Sequence, residues 1–320
     1  MERYGVAGRP CLHRIHRLAQ QGDQVDDPAL RLELASLDAG DVEKLRDQVG
    51  ESIYLAVDDL EGAVDLLGKM DPKAKKIAIV HEKDKFSTDV VTDLKKYAES
   101  KGYNVVLFEG YDSGTTDFAP FINKFPADVD AIMGGGHFAD TSTLAKQIHE
   151  KGVKPKLVAL LVAPPEPKFA ELGAAAVGII GASQWEPAAK YTPEAAKAKN
   201  LEWFGPTVAE FVKAYKAKFN EEPSYHSAGG FVAGLLIEKA IAKSGAIDTE
   251  KVKAALDGMD IMTFYGHIKF DTTPAAHGLQ VGHDMVYIQW QKDDKGNLVK
   301  EVVWPEEAKT KQAILMPKKN

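Results

Sequence analysis

A few short stretches of this 320-residue chain carry side chains able to grip a small molecule. His137 and Phe138 follow Gly134-Gly135-Gly136, Gln184 and Trp185 follow the apolar run Ala176–Ser183, and Tyr225 and His226 follow Pro223-Ser224. A histidine beside three glycines can donate a hydrogen bond to a solute carboxylate, or is simply a solvated loop residue. An indole offers a broad apolar face and one donor, suited to a planar or apolar solute, and it suits hinge packing equally well. Tyr225 and His226 either face a cleft or cap the long apolar segment that follows them. Binding is the chemistry these residues offer, and catalysis has no positive support. Local spacing suggests no Ser/His/acid or Cys/His arrangement. The glycine run lacks the G-x-G-x-x-G or Walker lysine pattern of a phosphate cradle, and a tight turn after a buried strand explains it. Cys11, His13 and His16 have metal-like spacing, but they lie in an atypical segment and coincidence is the better reading. The expectation is therefore a non-enzyme with no cofactor and no metal.

The elements that must position these residues are legible as five apolar runs, Lys76–His81, Asn104–Glu109, Val129–Met133, Lys156–Val162 and Ala176–Ser183. Amphipathic segments separate them, which predicts an α/β fold with a parallel sheet between layers of helices. Ligands in such sheets bind outside the carboxyl ends of the strands, so the loops at His81, Gly134 and Val162 are the first candidates. A helix is predicted before the sheet at Asp59–Lys69. Further helices carry the stripes Val90, Leu94, Tyr97, Ala98 and Phe118, Phe121, Ile122, Phe125. After Trp185 the pattern predicts helices at Pro206–Phe219, Ala228–Ala242 and from Thr249 to Gly258. Strands at Tyr265–Asp271, Asp284–Gln291 and Leu298–Trp304 follow, with Asp293–Gly296 as a hairpin turn and Lys309–Asn320 as a loose tail.

The formal net charge of -7 speaks against a nucleic-acid partner. No apolar run reaches the roughly 20 residues that span a bilayer, so direct membrane insertion is not expected. Met1–Arg9 has no basic head followed by an apolar core, and no signal peptide is read there. All six arginines and the single cysteine fall within the first 50 residues, and the remaining 270 residues contain no arginine. Such segregation marks much of Pro10–Gly50 as foreign to the rest, as a frame-shift or fusion would make it; a basic surface helix is the bland alternative. Within it, Leu30–Leu45 has an irregular helical pattern.

Several motifs occur together and in order: Lys75-Lys76-Ile77-Ala78-Ile79-Val80-His81, the Phe86-Ser87 step, Gly134-Gly135-Gly136-His137, Gly181-Ala182-Ser183-Gln184-Trp185 and Pro223-Ser224-Tyr225-His226, with Gly266 to Phe270-Asp271 behind them. No single one is specific, but the ordered set resembles the substrate-binding proteins of ABC transporters, in the branched-chain-amino-acid-type group, from about Tyr54 to the C-terminus. The resemblance implies a two-lobed type I periplasmic-binding-protein fold, with flavodoxin-like parallel sheets flanked by helices and lobe one incomplete. It implies an incomplete lobe one over residues 1–72, with an anomalous segment at 10–50. Lobe two would span 73–222, with a return to lobe one over 223–276 and to lobe two and the tail over 277–320. Function would be non-enzymatic capture of an amino-acid-like or aromatic or amide solute by hinge closure of the lobes. Delivery would be to ABC permease subunits, in a periplasmic or other extracytoplasmic location. A cytoplasmic ligand-sensing regulator that reuses the fold is the alternative. By the same resemblance Phe86 sits where the family often sets an aromatic against the solute, although phenylalanine at a helix start is also a staple residue. Amino-acid-binding relatives hold the ammonium with an acid near Glu166, here displaced by a residue in Ala163-Pro164-Pro165-Glu166.

Overall fold

The computed structural model describes residues 60–188, 191–274, 276–306 and 308–317. The arginine-bearing segment, Cys11, His13, His16 and the irregular pattern at Leu30–Leu45 lie outside the described residues. Of the described residues, those within 57–188 and 285–320 make one compact unit and those within 189–284 a second.

The first unit opens with helix α1 (Glu61–Met70), whose Val64 and Leu67, with Leu60 before it, turn one buried face to the sheet. Strand β1 (Lys76–Glu82) follows, then α2 (Lys85–Ser100), β2 (Asn104–Tyr111), the single turn α3 (Ala119–Ile122), β3 (Ala131–Gly135), α4 (Phe138–Lys151), β4 (Leu157–Leu160), a 3-10 segment at Pro167–Ala176 and β5 (Ile179–Ser183). The buried strands β1, β3, β4 and β5 are apolar on both faces because helices cover both. Alternation assigns the faces: Ile77 and Ile79 of β1 join one core cluster, Ala78 and Val80 the other.

The second unit holds α5 (Pro193–Ala198), the short strand β6 (Glu202–Trp203), α6 (Val208–Phe219), α7 (Tyr225–Ser244), α8 (Thr249–Asp257), β7 (Asp260–Thr263) and β8 (Gly266–Lys269). Its three strands pair in the order β6-β7-β8. Phe211 of α6 stacks on Phe264 at 4.4 Å between ring centroids and lies 5.2 Å from Phe231 of α7. The resemblance assigns the stretch that holds α6 to lobe two; its ring contacts bind it to α7 and the small sheet. Strand β7 is absent from the expected strands because Asp260-Ile261-Met262-Thr263 is only four residues long, between the helix end at Gly258 and the strand expected from Tyr265.

The chain then returns to the first unit with β9 (Val286–Lys292) and β10 (Leu298–Trp304), joined by the expected turn, in which Asp293 Oδ1 accepts from the Lys295 and Asn297 N–H groups. The large sheet runs β10-β9-β5-β4-β3-β1-β2, parallel from β5 to β2 and antiparallel at β9 and β10. Its parallel part has the 2-1-3-4-5 order of flavodoxin-like folds, whose connections reverse direction between β1 and β3. Over its described residues, 309–317, the tail is tied to the sheet. Gln289, fully buried, donates to the Ile314 carbonyl at 2.7 Å and accepts from its N–H at 2.8 Å, while Gln291 donates to the Gln312 carbonyl at 2.8 Å. Buried amides require partners, and the tail supplies them.

Candidate functional site

At the switch point between β1 and β3 the crossovers leave in opposite directions, so the carboxyl ends of these strands open a crevice. Strand β1 delivers Glu82 to its edge, and Asp84 caps α2: its Oδ1 accepts the Ser87 N–H at 2.9 Å and its Oδ2 the Ser87 hydroxyl at 2.6 Å. The sequence pattern sets the cap near Ser87; the structure makes Ser87 the partner and Asp84 the cap. Phe86, the second helical residue, is 39% exposed.

Strand β3 delivers His137, which caps α4. Its N–H donates to Asp140 Oδ1 at 2.9 Å, the reciprocal half of a capping box in which Asp140 sits at the third helical position. Asp140 or Thr141 is the cap expected from sequence; both are instead supports, Thr141 donating its hydroxyl to the His137 carbonyl at 2.5 Å. Beneath them the buried Tyr111 hydroxyl donates to Asp140 Oδ2. Burial pushes the Asp140 carboxyl above its ordinary value, against the lowering effect of the Tyr111 bond, and burial also pushes the Tyr111 phenol up. Gly136 is glycine because a Cβ there would collide with Asp140 and Tyr111.

The outcome is a ring pair at the mouth of the crevice. Phe86 and His137 stack with centroids 6.1 Å apart and planes inclined at 29°. His137 is 54% exposed along its side chain, and Phe138 behind it is half-buried against the core. Burial would raise the Asp84 carboxyl, but the Ser87 bonds and the nearby His137 more than offset this and hold it below its ordinary value.

The structure thus brings Phe86 and His137 together, while Phe138, next in the chain, packs against the core. Gln184 and Trp185 follow β5 of the same sheet, both buried, Trp185 to 1% exposure, with the Ser183 hydroxyl donating to the Trp185 carbonyl at 2.8 Å. Glu166 is half-buried at the start of the 3-10 segment. Tyr225 and His226 belong to the second unit, where they are the first two residues of α7, their rings 4.0 Å apart and Ser224 the cap. Sequence reasoning missed Glu82, Asp84 and Tyr111, and took Asp140 only as a possible helix cap. The Asp-x-x-Ser spacing of Asp84 and Ser87, and the acid three residues after His137, are the signals that mark two of them.

The family model described as periplasmic binding protein matches residues 50–296. This chain belongs to the periplasmic binding protein family. It is 29% identical over 248 residues to the leucine-, isoleucine-, valine-, threonine- and alanine-binding protein of Pseudomonas aeruginosa, covering 75% of this chain and 60% of that one. The chain thus spans about 60% of that relative's length. Among solved structures, the leucine-binding protein of Thermotoga maritima superposes with a TM-score of 0.61 at 19% identity, over 77% of this chain and 65% of that one. The branched-chain amino-acid transporter substrate-binding protein of Streptococcus pneumoniae, solved with isoleucine, gives 0.56 at 20% identity, over 77% and 65%. The fold is the type I periplasmic-binding-protein fold expected from the motifs. The family and the Pseudomonas relative are described as binding proteins, and the Streptococcus structure as the substrate-binding protein of a transporter. Among the described residues no helix is long and apolar enough to cross a membrane.

Proposed function

We propose that this chain captures an aliphatic amino acid for an ABC importer, in an extracytoplasmic compartment, and presents it to the permease. The observation that carries the reading is the stacked pair of Phe86 and His137, half-open at the carboxyl ends of β1 and β3, where α/β sheets hold ligands. The Phe86 ring offers an apolar face at that position, beside the polar His137 ring. Fully burying a leucine or isoleucine side chain against such a surface is worth about 1.5–3 kcal/mol. The relatives' names favour amino acids over the aromatic acid or amide that the sequence also admits. Gln184 and Trp185 at the end of β5 extend the same edge of the sheet as further candidate contacts. Tyr225, His226 and the weaker candidate Glu166 complete the set to be tested.

A thermal-shift panel of leucine, isoleucine, valine, threonine, alanine and phenylacetate tests the reading. At a hundredfold excess over Kd a ligand adds about 2.7 kcal/mol. The aliphatic amino acids are therefore expected to raise Tm by about 5 °C or more, at roughly 2–4 °C per kcal/mol. The shift should vanish in Phe86→Ala. A response confined to phenylacetate, or a full response in Phe86→Ala, would count against it.

A further inference from the structure

The face of the His137 ring meets Phe86, while its Nε2 edge looks at two carboxylates. Nε2 lies 3.5 Å from Asp84 Oδ2 and 3.7 Å from Glu82 Oε2. Neither acid is paired with a lysine among the described residues: the neighbouring Lys83 turns to Asp112 at 2.9 Å, and Lys85 to Asp89. Capping of α2 accounts for Asp84. Glu82 caps no helix: its side chain is only 8% exposed, and its ion-pair neighbour is the same His137 ring nitrogen, at 3.7 Å. Two carboxylates held side by side repel each other unless a positive charge stands between them, and those of Glu82 and Asp84 converge on the His137 ring nitrogen.

The ligand atoms of the three side chains lie within 4.8 Å of one another. In a tetrahedral zinc site with bonds of about 2.1 Å, neighbouring ligands stand about 3.4 Å apart. The two nitrogen-to-oxygen separations, 3.5 and 3.7 Å, are close to that edge length, so a small inward rotation completes it. One imidazole and two carboxylates form a borderline donor set, with too few oxygens for calcium and no thiolate for softer ions. We propose that Glu82, Asp84 and His137 form a three-ligand site for a divalent cation of the zinc class, its fourth position open to solvent or solute. The cation would neutralise two clustered negative charges and fix the His137 ring against Phe86. This goes beyond amino-acid capture and needs only these three side chains.

The test is calorimetric titration of the EDTA-stripped full chain with zinc chloride, with visible absorption of the cobalt(II) form as a report of tetrahedral geometry. One zinc per chain is expected, weakened at least about tenfold in Glu82→Gln and in His137→Asn, since even outer-sphere partners of metal ligands cost that much. Melting of each variant in EDTA confirms that it folds. The double variant His13→Ala/His16→Ala, which removes the N-terminal histidine pair, should retain the site. No zinc uptake, uptake indifferent to Glu82→Gln, or uptake lost only with His13 and His16 would overturn the proposal. The amino-acid panel run in EDTA reads solute capture separately, so either reading can fail alone.

Discussion

Tyr111→Phe isolates the support beneath His137. Tyr111 is 1% exposed, and its ring packs edge-on against Phe118 with centroids 4.9 Å apart at 89°. Phenylalanine keeps that packing, so no cavity forms and the change removes one hydroxyl. What is lost is the donor to Asp140 Oδ2, a bond to a charged group worth about 1.5–3 kcal/mol. The expected cost is about 2 kcal/mol, or a fall in Tm of about 4–8 °C. The pH dependence has a definite sign. Asp140 is held above its ordinary value of 3.8, chiefly by burial, with the Tyr111 bond opposing. A carboxyl raised on folding binds its proton more tightly in the folded state, so its ionisation costs stability at neutral pH. That cost is relieved as pH falls through the folded value toward 3.8. Removing Tyr111 raises the carboxyl further, so the gap between variant and parent should narrow toward acid. Thermal unfolding followed by circular dichroism at neutral and mildly acid pH measures this, and a cycle with Asp140→Asn should show coupling of about 1 kcal/mol. A variant within about 0.5 kcal/mol of the parent at neutral pH, or strictly additive effects, would refute the assignment of Tyr111 and Asp140 as one unit.

Three further outcomes follow from particular contacts. Lys300 reaches the buried Glu186 at 2.8 Å, so Lys300→Met should cost about 3–5 kcal/mol by urea unfolding, with most of it regained in Lys300→Met/Glu186→Gln. Gly136→Ala should lower Tm and weaken solute binding together, because the new methyl group displaces Asp140 and Tyr111 from under His137. Phe86→Ala, at an exposed position, should leave urea stability within about 0.5 kcal/mol while removing the amino-acid response.

The five parallel strands were legible because each is a short apolar run between turn signals, and in β1, β3, β4 and β5 burial on both faces demands that composition. Phe86 and His137 were legible as positions, Phe86 as the first aromatic after one such run and His137 as the first side chain past another. Their support was not. Glu82 reads as the polar end of a strand, and Tyr111 as one more aromatic in an apolar run. Only the pairing of β1 with both β2 and β3 sets them beside residues 29 and 55 positions away, as Tyr111 with Asp140 and Glu82 with His137 show. The ordered tail was hidden for a similar reason. Gln289 and Gln291 alternate with apolar residues as solvent-facing positions would, yet that face is buried and draws in residues 312–314. Capping also moved boundaries by a few residues, since an acid three positions along can be partner or cap, and sequence alone does not distinguish them.

The most direct test is equilibrium binding of leucine, isoleucine and valine to the purified chain by titration calorimetry, in EDTA, beside Phe86→Ala and His137→Ala. Saturable binding of at least one of these amino acids, at one site per chain and lost in both variants, is the expected result. A folded chain that binds none of the three, or binds them equally well without either ring, would contradict amino-acid capture at the ends of β1 and β3.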